Sequence, residues 1–277
     1  MESEVWPLHY RLLAVDLDDT LLDSAFRVSP RNREALRGAR ERGVIVTLAT
    51  GRMYASAARI ARELGIDVPL ITYQGALVRK ASGGPALLHR TVPLDAARAL
   101  VGALRAGGLH VNVYLRDRLY MAELTPAGAR YAAISGVEAH PVGDLLALLE
   151  GGEEPTKVLA IAEEEVLDGV MAEMLPVYGS AVHITKSKPH FLEFSHPRAT
   201  KGAALAWLAE RYGVPREAVV AVGDSYNDLD MVEFAGLGVI MGNARAEVKE
   251  RADFVAPPND RDGVAEVIER FILEEGG

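Results

Sequence analysis

The fold is decided by the stretch LLAVDLDDT, residues 12–20 of a 277-residue chain. Its first four residues are all apolar, which is typical of a strand buried on both faces of a parallel sheet. The apolar run ends at three carboxylates, those of Asp16, Asp18 and Asp19. Because ligands bind beyond the carboxyl ends of parallel strands, this stretch predicts both a sheet and a site at its edge.

The same alternation of apolar runs and helical patterns continues on both sides of this stretch. A helix is predicted over residues 30–42, since Ser29 is a suitable N-cap, Pro30 suits the first turn and Gly43 suits the end. Further strands are predicted at residues 44–49, 70–73, 218–222, 238–241 and 254–256. Further helices are predicted at residues 53–64, 201–212, 229–234 and 263–274. Short strands alternating with helices indicate a parallel sheet with right-handed crossovers.

The middle of the chain has a different pattern. Two apolar runs, residues 111–115 and 118–122, are separated by a short polar turn, which predicts an antiparallel hairpin. A helix is predicted to follow residues 157–162 and to run through Met174. The remaining strands of this region are predicted at residues 182–186 and 191–194. Gly83-Gly84-Pro85 is a candidate hinge into the region.

These patterns together predict an α/β fold in two units. We expect a Rossmann-like parallel-sheet core formed by residues 1–83 and 196–277. The core would be interrupted by an inserted α+β cap domain, residues 84–195. The length of the chain is compatible with two domains of ordinary size.

Composition limits the classes of function. Lysine and arginine total 30 against 39 acidic residues, a net charge of −9, which argues against nucleic-acid binding because that function needs basic surface. The chain has no cysteine, so disulfides, thiolate zinc sites and cysteine nucleophiles are excluded. A small anionic ligand in a local basic pocket remains compatible with this charge.

Neither a membrane segment nor a leader is predicted. No stretch approaches 18 consecutive apolar residues, the length that a spanning helix needs. Residues 1–4 are acidic and lack the basic start and apolar run of a signal peptide. We therefore expect a cytoplasmic protein, and the sequence leaves its oligomeric state open.

Four predicted strand ends carry residues suited to phosphate chemistry. They are the stretches 16–20, 50–52, 74–75 and 223–228. A parallel sheet would bring these ends to one edge although they lie far apart in sequence. Asp16, Asp18 and Asp19 would repel one another unless a cation offset their charge.

Magnesium is the cation that this chemistry favours. Mg²⁺ prefers hard oxygen ligands and usually takes one or two carboxylates with phosphate oxygens and water. Asp224 would complete the site from another strand end, with Asp228 as a further candidate ligand. Few histidines lie near these stretches, so an oxygen-ligated ion is favoured over zinc.

The ordered set of strand ends resembles the haloacid dehalogenase-like (HAD) superfamily of phosphotransferases. Its Asp-x-Asp-x-Thr motif is matched by residues 16–20, and its second motif, a Thr or Ser after a strand, is matched by Thr50. Its third motif, a Lys at a helix start, is matched by Lys201. Its fourth, Gly-Asp-x-x-Asn-Asp, is matched by residues 223–228. The Ala-Thr-Gly-Arg stretch ending at Arg52 and the segment 241–264, which includes Asn243, are similar to the Cof-like phosphatase branch.

Two residues depart from the pattern of that branch. Asp19 stands where the branch usually has Gly, so its side chain is expected to point away from a bound anion while its amide still donates. Gln74 stands where Asn is usual. A role carried from the family onto Gln74 is therefore not assumed.

The resemblance implies a phosphatase that forms an aspartyl-phosphate. Asp16 would attack phosphorus, and Asp18 would protonate the leaving alcohol and then take a proton from water. Mg²⁺ would contact the Asp16 carboxylate, the Asp18 main-chain carbonyl and Asp224. Asp228 would orient Lys201 or a metal-bound water, or begin a helix. Phosphoryl-binding candidates are Thr50, Gly51, Arg52, Lys201, Asn227 and Asn243.

The substrate would be a small phosphorylated metabolite, such as a sugar phosphate, covered by the cap. Cap residues that are candidates for substrate contact are Tyr114, Arg116, Lys186, Lys188, His190 and Glu193. A phosphomutase of the same superfamily is an alternative. A phosphoacceptor signalling domain is a further alternative, but such domains lack both an inserted lid and the Gly-Asp-x-x-Asn-Asp stretch.

Overall fold

The computed structural model describes residues 9–274. Its core contains a five-stranded parallel sheet in the order β14-β13-β12-β1-β2. These strands are β1 (Leu12–Val15), β2 (Ile45–Leu48), β12 (Val219–Gly223), β13 (Leu237–Met241) and β14 (Phe254–Ala256). Strand β1 is therefore an interior strand, which pairs with β12 on one side and β2 on the other. The predicted parallel sheet is confirmed.

Helices cover both faces of the core sheet. They are α1 (Pro30–Glu41), α2 (Tyr54–Glu63), α7 (Lys201–Arg211), α8 (Leu229–Phe234), α9 (Ala246–Lys249) and α10 (Gly263–Ile268). Along β1 the side chains alternate between two apolar clusters, with Leu13 and Val15 in one and Leu12 and Ala14 in the other. This alternation explains why the strand is apolar at every position. As predicted, α1 begins after Ser29, whose side chain accepts a hydrogen bond from the Asn32 amide.

A second small sheet extends the core. It contains β3 (Pro69–Thr72), β4 (Leu77–Lys80) and β5 (Leu88–His89), and a parallel bridge between Ala49 and Ile71 joins it to the end of β2. The Gly83-Gly84-Pro85 stretch lies between β4 and β5, which pair with each other. We therefore propose that the chain passes into the cap after β5, at residues 90–93, rather than at these glycines.

The inserted region forms a six-stranded sheet in the order β10-β11-β9-β6-β7-β8. Its strands are β6 (His110–Leu115), β7 (Arg118–Met121), β8 (Ala139–Pro141), β9 (Lys157–Ile161), β10 (His183–Lys188) and β11 (Phe191–Ser195). Its helices are α3 (Leu94–Ala106), α4 (Pro126–Ser135), α5 (Leu145–Glu150) and α6 (Glu164–Tyr178). The predicted β6–β7 hairpin is present. One face of the sheet packs on α3, α5 and α6 and forms a separate apolar core.

The other face of this sheet contacts the core. In the turn between β6 and β7, Asp117 accepts hydrogen bonds from the Tyr73 hydroxyl, at 2.7 Å, and from the Ala55 amide in the first turn of α2, at 2.9 Å. The Ser56 hydroxyl donates to the Ser135 carbonyl at 2.8 Å. Polar contacts therefore hold the cap against the loops that follow β2 and β3. Across residues 9–274, no helix is both long enough and apolar enough to cross a membrane.

Candidate active site

Asp16 and Asp18 follow the last residue of β1. The Asp16 amide still pairs with β12, donating to the Val222 carbonyl at 2.9 Å, so the Asp16 side chain is placed by the sheet itself. Residues 17–21 then form a wide irregular turn in which Asp18 is extended and Asp19 has a φ of 59°. A left-handed residue at this position explains why glycine is suited to it.

Lys201 is the buried cation of the site. It lies in the first turn of α7, after the N-cap Thr200, and its side chain is 1% exposed. Its Nζ donates to Asp16 Oδ1 and to Asp228 Oδ1, both at 2.6 Å. Burial by itself would lower the pKa of Lys201, but the Asp16 and Asp228 carboxylates outweigh it and raise that pKa. Lys201 is therefore held as an ammonium ion between two carboxylates.

The loop after β12 supplies two further carboxylates. Asp228 Oδ2 accepts from the amides of Asp224 and Ser225, each at 3.0 Å, and Asp228 thereby caps the short helical turn 226–228. A Cβ atom on Gly223 would lie 2.4 Å from the Asp228 Cβ, so only glycine allows this packing. Thr20 donates to Asp224 Oδ1 at 2.8 Å and joins this loop to the turn after β1.

Three of these carboxylates fit a divalent cation. One oxygen each from Asp16, Asp224 and Asp228 lies within 4.8 Å of the other two. Burial raises the pKa of Asp16 well above its ordinary value, and burial together with the Asp228 carboxylate raises the pKa of Asp224 to about 7. Clustered acidic groups of this kind resist ionisation until a cation neutralises them. Since Asp228 already accepts three hydrogen bonds, Asp16 and Asp224 are the better candidate ligands.

Asp18 has a different partner from the other carboxylates. Its Oδ2 and Oδ1 accept from Nε and Nη2 of Arg52 at 2.8 and 2.6 Å, a bidentate pair. Burial would raise the pKa of Asp18, but the hydrogen bonds and charge of Arg52 outweigh it and lower that pKa. Asp18 is therefore an ionised carboxylate here. The prediction that Arg52 contacts phosphate did not include this pairing, which occupies the guanidinium group.

Thr50 and Gly51 lie in the loop between β2 and α2 and line the cavity described below. The Thr50 amide donates to the Ile71 carbonyl at 2.9 Å, and the Thr50 Oγ1 accepts from the Arg52 amide at 3.1 Å. The Thr50 hydroxyl therefore accepts from the backbone and keeps its hydrogen available to donate. The predicted phosphoryl role of Thr50 is compatible with this arrangement.

Gln74 and Gly75 close the site from the loop after β3. Gln74 Oε1 accepts from Asn227 Nδ2 at 3.0 Å, whereas the buried Gln74 Nε2 has no hydrogen-bond partner within residues 9–274. Gly75 has a φ of 91°, and a Cβ there would lie 2.1 Å from the Thr200 carbonyl oxygen. Gln74 Nε2 is therefore a buried donor without a partner among these residues, on a residue for which no role was predicted, and Asn227 lies beside it.

Asn243 does not line this cavity. Its Nδ2 donates to the Asp19 carbonyl at 2.8 Å and its Oδ1 accepts from the Asn259 amide at 3.1 Å. Asn259 in turn donates to the Leu22 carbonyl at 2.9 Å. The Asn243 and Asn259 side chains thus fix the turn after β1 through its carbonyl groups. The phosphate contact predicted for Asn243 stays a prediction, and the structure shows its side chain in contact with the protein backbone.

The site opens into a cavity of about 750 Å³ between the core and the cap. The cap contributes Arg130, Tyr131 and Ile134 from α4, together with residues 187–191 and Glu193. Three of the predicted cap candidates, Lys188, His190 and Glu193, are therefore in place.

The other three cap candidates lie elsewhere. Tyr114 is fully buried behind the cavity wall. Arg116 forms an ion pair with Glu153 at the surface. Lys186 forms an ion pair with Asp168 at 2.6 Å and lines a neighbouring pocket. Lys157, a cap residue without a predicted role, contacts the loop that carries Thr50.

Comparison with known proteins agrees with this geometry. Residues 13–268 match the family model of haloacid dehalogenase-like hydrolases. The chain belongs to this family. Within it, the chain is similar to the Cof-like phosphatases, as predicted.

Several relatives come from Bacillus subtilis, and two of them illustrate the similarity. The phosphatase YwpJ is 32% identical, over 95% of this chain and 100% of that protein. YitU, a 5-amino-6-(5-phospho-D-ribitylamino)uracil phosphatase, is 30% identical, over 94% of this chain and 97% of that protein. A haloacid dehalogenase-like hydrolase from Bacteroides thetaiotaomicron has a TM-score of 0.86 and 32% identity, over 94% and 99% of the two chains. The protein is thus a HAD-like phosphatase that acts on phosphorylated substrates.

Proposed function

We propose that this phosphatase hydrolyses small phosphate monoesters through an aspartyl-phosphate intermediate and requires Mg²⁺. The observation that carries the proposal is the bridge from Lys201 to Asp16 and Asp228, with Asp224 close enough to share a cation. In this arrangement the Asp16 carboxylate lies beside the fixed positive charge of Lys201. Phosphoryl oxygens bound there would be neutralised while Asp16 approaches phosphorus.

The first chemical step belongs to Asp16 and Asp18. An Asp16 oxygen forms a bond to phosphorus while the bond from phosphorus to the ester oxygen breaks. Asp18 gives its proton to that departing oxygen. Because Arg52 holds Asp18 ionised, the bound substrate would have to loosen this pair so that Asp18 takes a proton from solvent before it acts.

The second step releases phosphate. A water molecule attacks phosphorus, Asp18 takes the proton of that water, and the bond between phosphorus and Asp16 breaks. Lys201 and Thr50 would hold phosphoryl oxygens in both steps, and Gln74 Nε2 would add a further donor. The Asp18–Arg52 pair suits this step, since a base must be ionised to accept a proton.

Asp16 and Asp224 would hold Mg²⁺, and the Asp228 carboxylate lies next to these two ligands. When bound, it supplies positive charge that lowers the repulsion between the Asp16 carboxylate and an anionic substrate. The chain positions these ligands with the backbone of two adjacent strands, β1 and β12. Asp18, predicted as a ligand through its main-chain carbonyl, remains a candidate on that atom.

Removal of divalent metal is expected to lower the rate of phosphate release by on the order of 100-fold or more. Treatment with EDTA followed by addition of Mg²⁺ should restore the rate, and Asp224→Asn should raise the Mg²⁺ concentration needed for half of that recovery. The measurement is phosphate release against Mg²⁺ concentration at neutral pH. A rate that is unchanged after complete metal removal would exclude the cation from the mechanism.

The physical size of the cavity suits a metabolite rather than a macromolecule. Some of the relatives hydrolyse 5-amino-6-(5-phospho-D-ribitylamino)uracil, in which a phosphorylated polyol carries a heteroaromatic ring. We include ring-bearing phosphates of this kind, with sugar phosphates, in the class of substrates. A screen of the purified protein against phosphorylated metabolites in the presence of Mg²⁺ tests the class, and no turnover of any member would contradict the proposal.

Phe26 is placed to contact the leaving group. It lies at the cavity with a φ of 58° and a side chain that is 54% exposed. Asp23 Oδ1 accepts from the amides of Ala25 and Arg27 and so fixes the turn. A left-handed conformation is strained for a bulky residue, and such strain is common at functional sites. The turn thereby holds the half-exposed ring of Phe26 at the cavity.

Phe26→Ala is expected to lower kcat/KM about 5- to 10-fold for a phosphate ester that carries an aromatic ring, because ring contacts of this kind contribute about 1 kcal/mol. The value for glycerol phosphate, which has no ring, should stay within about twofold. Phe26→Tyr keeps the ring and is the matched control. An equal loss on both substrates would show that Phe26 supports the turn and does not contact the leaving group.

A further inference from the structure

Lys157 is a buried cation of the cap that the mechanism above does not use. It is the first residue of β9, and its side chain is 1% exposed. Its Nζ lies 3.2 Å from Glu193 Oε2 and 4.9 Å from the centre of the Tyr114 ring. Burial by itself would lower the pKa of Lys157, but the Glu193 carboxylate outweighs it and raises that pKa. The side chain is therefore an ammonium ion without access to solvent.

The third neighbour of this ammonium group belongs to the core. Lys157 Nζ donates to the Gly51 carbonyl oxygen at 3.2 Å. Gly51 follows Thr50 directly, in the loop that lines the catalytic side of the cavity. A buried charge costs free energy that an apolar side chain of similar length would avoid. A lysine at this position therefore calls for an explanation beyond packing.

The peptide unit between Gly51 and Arg52 connects Lys157 to Thr50. A peptide unit is planar, so its carbonyl and its N–H group turn together. The carbonyl of this unit accepts from Lys157, and its N–H group donates to Thr50 Oγ1 at 3.1 Å. Fixing one end of the plane therefore fixes the hydrogen bond that orients the Thr50 hydroxyl.

The surroundings leave this peptide unit little freedom. Gly51 packs so closely on Gln74 that a Cβ atom on Gly51 would lie 2.4 Å from the Gln74 Nε2. On the other side, the Arg52 guanidinium is held by both oxygens of Asp18. The hydrogen bond from Lys157 therefore acts on the loop that carries Thr50 and Arg52, which lie at the reaction site in the proposed mechanism.

We propose that Lys157 is a positioning residue. Through its hydrogen bond to Gly51, the cap packed on the core fixes the geometry in which Thr50 binds a phosphoryl oxygen. The proposal rests on the proposed function, in which Thr50 binds a phosphoryl oxygen. Glu193 holds the ammonium group from the cap side, and the Ser187 hydroxyl donates to Glu193 Oε1 at 2.6 Å. Lys157 touches the loop and not the substrate, so its contribution is the same whatever leaving group the substrate carries.

The test compares two unrelated substrates, p-nitrophenyl phosphate and a sugar phosphate. Lys157→Met, which removes the charge but keeps an unbranched chain, is expected to lower kcat about 10- to 100-fold on both, with KM changed by less than about threefold. The inhibition constant of inorganic phosphate should rise as well. Lys157→Arg should recover part of kcat, since it keeps a cation. Lys80→Met, at an exposed position of β4, is the control for loss of a lysine.

The outcomes separate the two proposals. A wild-type protein that turns over no phosphate ester contradicts the proposed function itself. A change confined to KM, or a loss on one substrate alone, overturns the positioning role in favour of substrate contact. A lower unfolding midpoint with unchanged kcat overturns it in favour of a structural role. If Lys157→Met does not fold, Glu193→Gln decides instead: it should lower kcat on both substrates, and an unchanged kcat would contradict the proposal.

Discussion

Asp16→Asn is expected to abolish hydrolysis of p-nitrophenyl phosphate, with a loss in kcat of about 10⁴-fold or more. An amide oxygen is a poor nucleophile toward phosphorus, and the neutral side chain no longer draws a cation to the site. The fold should survive, because Asn has nearly the volume of Asp and Lys201 keeps its bond to Asp228. The measurement is single-turnover and steady-state phosphate release beside a denaturation curve.

The matched control for this variant is Asp95→Asn, which removes an exposed carboxylate from the first turn of α3. It should leave kcat within about twofold of the wild type, as surface substitutions usually do little. Trapping of acid-stable or radiolabelled phosphate on the wild-type protein, but not on Asp16→Asn, would identify the covalent intermediate. Substantial turnover by Asp16→Asn would exclude Asp16 as the nucleophile.

Lys201→Met is expected to have the largest combined effect on activity and stability. Loss of one partner from a buried ion pair typically costs about 3–5 kcal/mol, because the remaining charge is left without compensation. Here Asp16 and Asp228 would both lose the ammonium group that lies 2.6 Å from each. The kcat should also fall by about 10²- to 10³-fold, since in the proposed mechanism Lys201 stabilises the phosphoryl oxygens.

The loss of stability in Lys201→Met should depend on pH in a defined direction. Burial raises the pKa of Asp16, and the nearby Lys201 opposes that rise, so removal of the lysine raises this pKa further. An acid whose pKa is raised on folding costs stability above its folded pKa and costs none below its unfolded value, about 3.9. Urea denaturation without metal should therefore show a smaller deficit at pH 5 than at pH 8. An equal deficit at both values would contradict an electrostatic origin, and Lys80→Met should show none.

The parts of the site that the sequence predicts are those set by strand ends. Asp16, Thr50 and Asp224 each follow an apolar run, and the carboxyl ends of parallel strands lie at one edge whatever the intervening chain does. Lys201 follows the N-cap Thr200, and its place in the first turn of a helix is likewise a local property. For these residues, secondary structure and sheet direction together determine position.

The partners of these residues are not local properties. Arg52 pairs with Asp18, 34 positions earlier, and Asn243 bonds to the Asp19 carbonyl, 224 positions earlier. Such pairs depend on side-chain rotamers and on how the loops pack, which no periodicity reports. The burial of Lys157 could not be predicted either, because a lysine at the start of a strand is usually exposed, whereas this one lies between residues of the cap and of the core.

The cap was predicted less completely than the core for a related reason. Its hairpin from β6 to β7 has a strong alternating pattern and a polar turn, and it was recognised. Helices α3, α4 and α5 and strand β8 were not predicted. Of these, α5 and β8 are short, with six and three residues, so tertiary packing decides their conformation. The glycines at 83 and 84 have the φ values of a tight turn, 101° and 92°, and a turn within the core hairpin uses the same residues as a hinge between domains.

The position of β1 between β12 and β2 has a consequence for synthesis of the protein. The chain emerges from the ribosome with the Asp16 strand first, yet β12, its neighbour on one side, follows about 200 residues later. At typical elongation rates that interval lasts about 10–40 s. During this time Asp16 has neither Lys201 nor Asp224 beside it. From the proposed mechanism we therefore expect a nascent or truncated product that lacks β12 to be inert toward phosphate esters.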